Sequence, residues 1–298
     1  MASWKKFGIV IKPDSRFSFM QSYCMLPTPF CIKGSLYKIY FGTRNSKNQS
    51  SVGFALVNLN DPAKILEYSQ TPILSPGKLG TYDDNGVLPS CLVQKNNLQY
   101  MYSIGFKPGG TTRMDLYGGL ALSKDNGENF KRWSEAPILE RTKINPYINT
   151  APWVIEENSK YIMYYVSGVE WINKDLPRYN IQIAFSKDLI NWERNGNVAI
   201  DFEGNENALA RPYVIRENNI FKMWFSSKGK SYNIKYAESK DGIKWVRKNY
   251  DFPSSNCLPG IDDEMVCYPV VLKHMNKTIM YYNGNNYGKE GICLAVRV

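Results

Sequence analysis

The sequence predicts an all-β chain folded as one five-bladed β-propeller over residues 1–298, and three observations carry that prediction. Proline recurs at Pro27, Pro89, Pro152, Pro212 and Pro269, at intervals of 62, 63, 60 and 57 residues. Thirteen residues after each proline stands an aromatic: Tyr40, Tyr102, Tyr165, Phe225 and Tyr282. Between these marks lie short runs of Val, Ile, Tyr, Phe and Trp broken by Gly, Asn, Lys and Ser, the composition of strands and turns. Fixed periodicity at this length points to solenoids, arrays or propellers, and four short antiparallel strands per repeat select the propeller.

Within each repeat the proline-bearing run is the expected innermost strand. The aromatic run follows as the second, reading Leu36–Tyr40, Gln99–Tyr102, Ile162–Tyr165, Lys222–Phe225 and Ile279–Tyr282. A third run ends in small and apolar residues, as in Gly53-Phe54-Ala55, Leu120-Ala121-Leu122 and Cys293-Leu294-Ala295. In three repeats a turn and an aromatic come next, at Ser123–Phe130, Ser186–Trp192 and Ser239–Trp245, and a fourth strand such as Asn197–Ile200 completes the unit. The first of these turns fits the Ser-x-Asp-x-Gly-x-x-aromatic box of sialidase-like propellers, and the other two are one residue shorter. Asp125, Asp188 and Asp241 are read as turn-closing, since Asp bonds readily to neighbouring backbone. The last repeat stops after its third strand, while Trp4–Gly8 aligns with Trp192–Gly196. The N-terminal strand is therefore expected to complete the fifth blade, which protects sheet edges.

Composition narrows the function. No apolar run is long enough to span a membrane, and Met1–Lys12 lacks the pattern of a secretory signal. A cytoplasmic location is expected. The six cysteines show no CxxC pairing and read as reduced thiols. The net charge of +10 is spread through the turns. Such a field favours anionic ligands, phosphorylated or nucleotide-linked sugars among them. No basic helix, zinc pattern or RNA-binding motif appears, so nucleic acid is not the expected partner. His274 is the one histidine, which excludes a multi-histidine metal site. Gly109-Gly110 followed by Gly118-Gly119 is not a dinucleotide fingerprint. No metal and no cofactor is called for.

The innermost strands of a propeller start at one mouth, so residues just before each repeated proline are expected to converge. Five and six positions before it stand Gln21 and Ser22, Asp83 and Asp84, Pro146 and Tyr147, Glu206 and Asn207, and Asp263 and Glu264. Asp84, Glu206 and Glu264 are the candidate catalytic carboxylates, with Asp83 and Asp263 beside them as substrate contacts. Carboxylates sharing a pocket have separated pKa values, so one can act as acid and another as base or nucleophile. Glycosidic cleavage requires that pair. Arg44 and Arg211 are candidate clamps for a phosphate or carboxylate. Trp171, Asn285 and Tyr287, in segments that connect strands, are candidates for contacting a sugar.

The chain resembles the five-bladed propellers of glycoside hydrolase families 43, 32, 68 and 130, and among them small single-domain bacterial relatives. The resemblance spans almost the whole chain. It rests on Asp83–Ser90, on Glu206 through Ala210-Arg211-Pro212, on Asp263–Pro269 and on Tyr281–Asn285. It implies Glu206 as general acid, Asp84 as base or nucleophile and Glu264 as third group. It also implies a place in carbohydrate metabolism, in surface-polysaccharide biosynthesis. Families 43 and 32 put an essential aspartate at the start of blade one, where this chain has Gln21-Ser22-Tyr23. The expected function is glycosidase-like chemistry at an anomeric carbon of a small sugar or nucleotide sugar. The alternatives are a non-catalytic carbohydrate-binding propeller and a phosphorylase or glycosyl-transferring enzyme.

Overall fold

The computed structural model describes residues 4–250, 252 and 257–297. The described chain is almost wholly strand and turn. It begins with β1 (Trp4–Ile11) and continues with β2 (Ser22–Lys33), β3 (Leu36–Arg44), β4 (Ser50–Asn58) and β5 (Asp61–Tyr68). The next unit holds β6 (Gly86–Lys95), β7 (Leu98–Pro108), β8 (Met114–Ser123) and β9 (Lys131–Arg132). It is followed by β10 (Asn149–Glu157), β11 (Lys160–Asn173), β12 (Leu176–Ser186) and β13 (Glu193–Ile200), then by β14 (Ala208–Glu217), β15 (Ile220–Lys228), β16 (Tyr232–Ser239) and β17 (Val246–Lys248). The chain ends with β18 (Cys267–His274), β19 (Lys277–Asn283), the single turn α1 (Asn285–Gly288) and β20 (Ile292–Arg297).

Consecutive strands pair antiparallel within each unit, as the hairpin sequences require. Between units the ladder is reduced to isolated parallel contacts, such as Ser50 with Gly86 and Tyr179 with Ala208. β1 pairs antiparallel with β20, Trp4 opposite Arg297, so the two ends of the chain share the sheet β1-β20-β19-β18. A buried ion pair holds that seam: Lys6 Nζ lies 2.8 Å from Asp262, and both side chains are almost fully enclosed.

The repeated aromatics explain how units dock. Tyr40 in β3 donates its hydroxyl to the Gly127 carbonyl of the next unit, Tyr102 in β7 to Leu189, and Tyr164 in β11 to Gly242, at 3.0, 2.7 and 2.8 Å. Each acceptor belongs to one of the Ser-x-Asp turns. Asp125, Asp188 and Asp241 accept bonds from the serine two residues earlier and from backbone amides within the turn. Asp125 accordingly sits at about 2, held there first by the Ser123 hydroxyl and then by Asn129. In the third unit the donor is Tyr164, one residue before the aromatic marked by periodicity. Tyr281 in β19 makes the matching bond to Pro62 at the start of β5, 2.7 Å away.

Cys24, Cys31, Cys91, Cys267 and Cys293 are free thiols, all of them buried except the exposed Cys31. His274 ends β18, half-buried, with Nε2 2.7 Å from Asn60 Oδ1. No described helix is long and apolar enough to cross a membrane.

Candidate functional site

Each innermost strand carries a register shift at its proline, between Met25 and Thr28, Pro89 and Cys91, Thr150 and Trp153, Ala210 and Tyr213, and Cys267 and Val270. A bulge of this kind re-aims a side chain. At four of the five sites the residue just before the proline has positive φ: Leu26 at 59°, Ala151 at 50°, Arg211 at 54° and Tyr268 at 56°. Non-glycine residues in this region cost about 1–2 kcal/mol each. Leu26, Leu88, Ala151, Arg211 and Tyr268, the five residues at that one position, all line the same cavity of about 260 Å³.

Arg211 is the largest fully buried side chain, 1% exposed. Its guanidinium donates to the Ser90 carbonyl, to the Pro27 carbonyl at 3.0 Å and to Thr28 Oγ1 at 2.7 Å. It faces the Trp153 ring at 5.8 Å. No carboxylate among the described residues pairs with it, and Nε has no partner. Burial pulls its pKa down to about 10, which leaves it cationic at neutral pH.

Around it the cavity gathers three more cations, Arg44, Arg113 and Lys228. Arg44 lies 4.3 Å from the Tyr23 ring and donates to Asn48, with Nε unpartnered. Arg113 is fixed at the rim by its backbone, whose amide donates to Lys174 at the tip of the β11–β12 hairpin. Thr150 Oγ1 and Asn207 Oδ1, both on lining residues, are buried without partners. Tyrosines supply further donors. Tyr179 and Tyr232 share a 2.5 Å hydroxyl contact, and the Tyr232 ring lies 6.0 Å from that of Tyr268 and 6.1 Å from that of Tyr287. Burial pushes Tyr179 up to about 12, the bond from Tyr232 opposing it in part, and drives Tyr232 well above its ordinary value. Both stay protonated. Among the described lining residues, Asp175 on the β11–β12 hairpin is the one carboxylate.

The carboxylates singled out by sequence stand elsewhere. Asp83 is fully buried and paired with Arg132 at 2.7 Å, which ties the β6 entry to β9. Asp84 accepts the Gly80 amide at 2.9 Å and sits 3.7 Å from Lys107. Glu206 receives both Nη atoms of Arg247, at 2.9 and 2.8 Å, with the Ser227 hydroxyl and the Glu203 amide. Burial alone would raise its pKa, but the Arg247 and Ser227 bonds outweigh that and hold it below the ordinary value. A carboxylate so held is a poor proton donor near neutrality. Glu264 and Asp263 line a separate pocket, with Lys6 and Asp262. The Asn285 amide group accepts from the Glu264 and Met265 backbone and donates to Asp263 at 2.7 Å. The expected convergence of Asp84, Glu206 and Glu264 on one cavity is thus not what the geometry gives.

Of the expected binding residues, Arg44, Arg211 and Tyr287 line the cavity. Asn285 is absorbed in its own loop. Trp171 lies within β11 opposite Pro177, rather than in a connecting loop, and does not line the cavity. Arg113, Lys228, Tyr179, Tyr232 and Asp175 were missed. The signal that would have found the cavity floor is the residue just before each repeated proline, not the pair five and six before it.

Among solved structures the chain is similar to a protein described as a glycoside hydrolase, with TM-score 0.77 and 20% identity over 98% of this chain and 90% of that one. It is also similar to a glycosyl hydrolase from Bacteroides ovatus, at 0.74 and 13% over 99% and 93%. A third is a thermostable family-43 glycoside hydrolase, at 0.65 and 17% over 93% and 89%. The chain therefore has the fold of the β-propeller glycoside hydrolases. No protein-family profile matches it. It is 34% identical over 296 residues to the uncharacterized protein Rv1502 of Mycobacterium tuberculosis strain H37Rv, covering 99% of both chains, and equally to MT1551 of strain CDC 1551. The chain belongs to the family of these proteins.

Proposed function

We propose that the chain is a single-domain, five-bladed propeller, closed by β1, whose cavity binds a small sugar carrying a negative charge. The charge is a phosphate or a nucleotide link, and the role is recognition rather than hydrolysis by two carboxylates. One observation carries the reading: Arg211, fully enclosed in the cavity lining, has no carboxylate partner among the described residues and an unpaired Nε. An uncompensated buried charge costs several kcal/mol, and an anionic ligand offsets that cost. Arg44 and Lys228, both half-buried, and the exposed Arg113 add to the positive field around the cavity. The protonated Tyr179 and Tyr232, with Thr150 and Asn207, provide the polar atoms that sugar hydroxyls need.

A second reading, glycosyl transfer to or from phosphate, is favoured by Asp175. That residue is the one carboxylate among the described lining residues and offers a proton-transfer group beside a bound phosphate, in a reaction that needs no carboxylate nucleophile. The test is a mass-spectrometric screen of aryl glycosides, sugar phosphates and nucleotide sugars, with and without phosphate, beside calorimetric binding of the same compounds. Binding of charged sugars without turnover supports recognition. Phosphate-dependent turnover lost in Asp175→Asn supports transfer. Phosphate-independent hydrolysis lost in Glu206→Gln contradicts both and restores the paired-carboxylate chemistry.

A further inference from the structure

The cavity is not uniformly polar. Its orphaned polar atoms come from Arg44, Thr150, Asn207 and Arg211, and its tyrosine cluster from the third, fourth and fifth units. The aliphatic wall comes from the second and third units and is made of Leu88, Ile104, Leu116, Ile148, Val166 and Leu176. Ile104, Ile148 and Val166 are buried there. Ile104 and Val166 form, with Met25, Leu26 and Ala151, a hydrophobic cluster separate from the main core, against which Leu88 and Leu116 pack. That cluster opens onto the cavity. None of its aliphatic side chains offers a donor or an acceptor.

Resting on the anionic-sugar reading, we infer that the ligand is amphipathic: a phosphate-bearing sugar whose other end carries an aliphatic group, an alkyl, acyl or prenyl chain. A sugar hydroxyl or a nucleobase edge placed on this wall gives up its bonds to water and finds none in return, which is costly. A methylene placed there leaves water for an apolar surface and gains close to 0.8 kcal/mol when fully buried, about fourfold in affinity. The same wall thus selects against the base of a nucleotide sugar while the cationic side still accepts its phosphates. Ligand sites elsewhere combine these parts in this way, an apolar lining with a few placed polar groups.

The experiment is isothermal calorimetry of the wild-type chain with inorganic phosphate, methyl phosphate, butyl phosphate and uridine monophosphate, repeated on Leu116→Gln. Butyl phosphate should bind on the order of a hundredfold more tightly than methyl phosphate. Leu116→Gln should remove at least about fivefold of that gain and leave methyl phosphate within twofold. Equal affinity for methyl and butyl phosphate, or tighter binding of uridine monophosphate than of butyl phosphate, overturns the aliphatic group and leaves the anionic reading standing. No binding of any phosphate by the folded wild type overturns both.

Discussion

Arg211 reaches Thr28 across 183 positions of sequence, Nη2 to Oγ1 at 2.7 Å. The same guanidinium holds the Pro27 and Ser90 carbonyls, so one side chain from the fourth unit pins the innermost strands of the first and second. A charge in this position does two things: it ties the strands that surround the cavity, and it leaves a positive potential at the cavity floor.

Replacing Arg211 should separate those two roles. In Arg211→Met the buried charge is gone, which relieves desolvation, but two carbonyls and a hydroxyl lose their donor. The net expectation is a loss of about 1–3 kcal/mol in stability and of all measurable phosphate affinity. Urea unfolding and calorimetry on the same preparation check it. Because Arg211 sits at about 10, wild-type affinity for a dianionic phosphate should hold from pH 7 to 9 and fall as pH passes 10.

Glu206 gives a prediction of the opposite kind. Its contacts with Arg247 and Ser227 make it a structural carboxylate, so Glu206→Gln should cost about 1–2 kcal/mol at pH 7 and leave ligand affinity unchanged. The folded-state pKa is depressed. The stabilisation is therefore complete above the unfolded value near 4.5 and is lost as pH falls through the folded one. The gap between wild type and variant should narrow as pH falls below 4.5, measured by denaturation at stepped pH.

The seam between the chain ends rests on Lys6 and Asp262. Asp262 is fully enclosed and also accepts the Tyr282 hydroxyl at 2.7 Å. Lys6→Met should strand that carboxylate and cost about 2–4 kcal/mol; Lys6→Met with Asp262→Asn should recover part of the loss. A double-mutant cycle in chemical denaturation reads the coupling. Additive effects would mean that β1 is not held in this way.

The Tyr179 and Tyr232 pair bears on alkaline stability. Both phenols resist ionisation in the fold, Tyr179 to about 12, while the unfolded chain ionises near 10. Stability should be level up to pH 10 and fall above it, by about 2 kcal/mol for Tyr179 once pH reaches 12. Circular dichroism against pH checks this, and Tyr179→Phe should lessen the decline by about that amount.

Much of the fold was legible because its marks are obligatory. In four of the five repeats an aromatic hydroxyl of the second strand docks on a neighbouring segment. Tyr40 and Tyr102 stand where periodicity put them, and Tyr164 and Tyr281 stand one residue earlier. The β1–β20 pairing was visible in the alignment of Trp4–Gly8 with Trp192–Gly196. The cavity was less legible. Asp84, Glu206 and Asp263 occupy the expected positions in sequence, but what a carboxylate does depends on the partner it meets. Arg247 and Asn285 meet Glu206 and Asp263 from segments 41 and 22 residues away. The inward turn at Leu26, Ala151, Arg211 and Tyr268 comes from positive φ without glycine, so only the proline that follows marks it.

The most direct measurement is calorimetric titration of the wild-type chain with a hexose 1-phosphate and with the matching methyl hexoside, at low and at high salt. Binding of the phosphate at least tenfold tighter than the neutral sugar, weakening as salt rises, is the predicted result. Equal binding of both sugars, or affinity for the neutral one alone, would contradict a cavity built around an unpaired arginine.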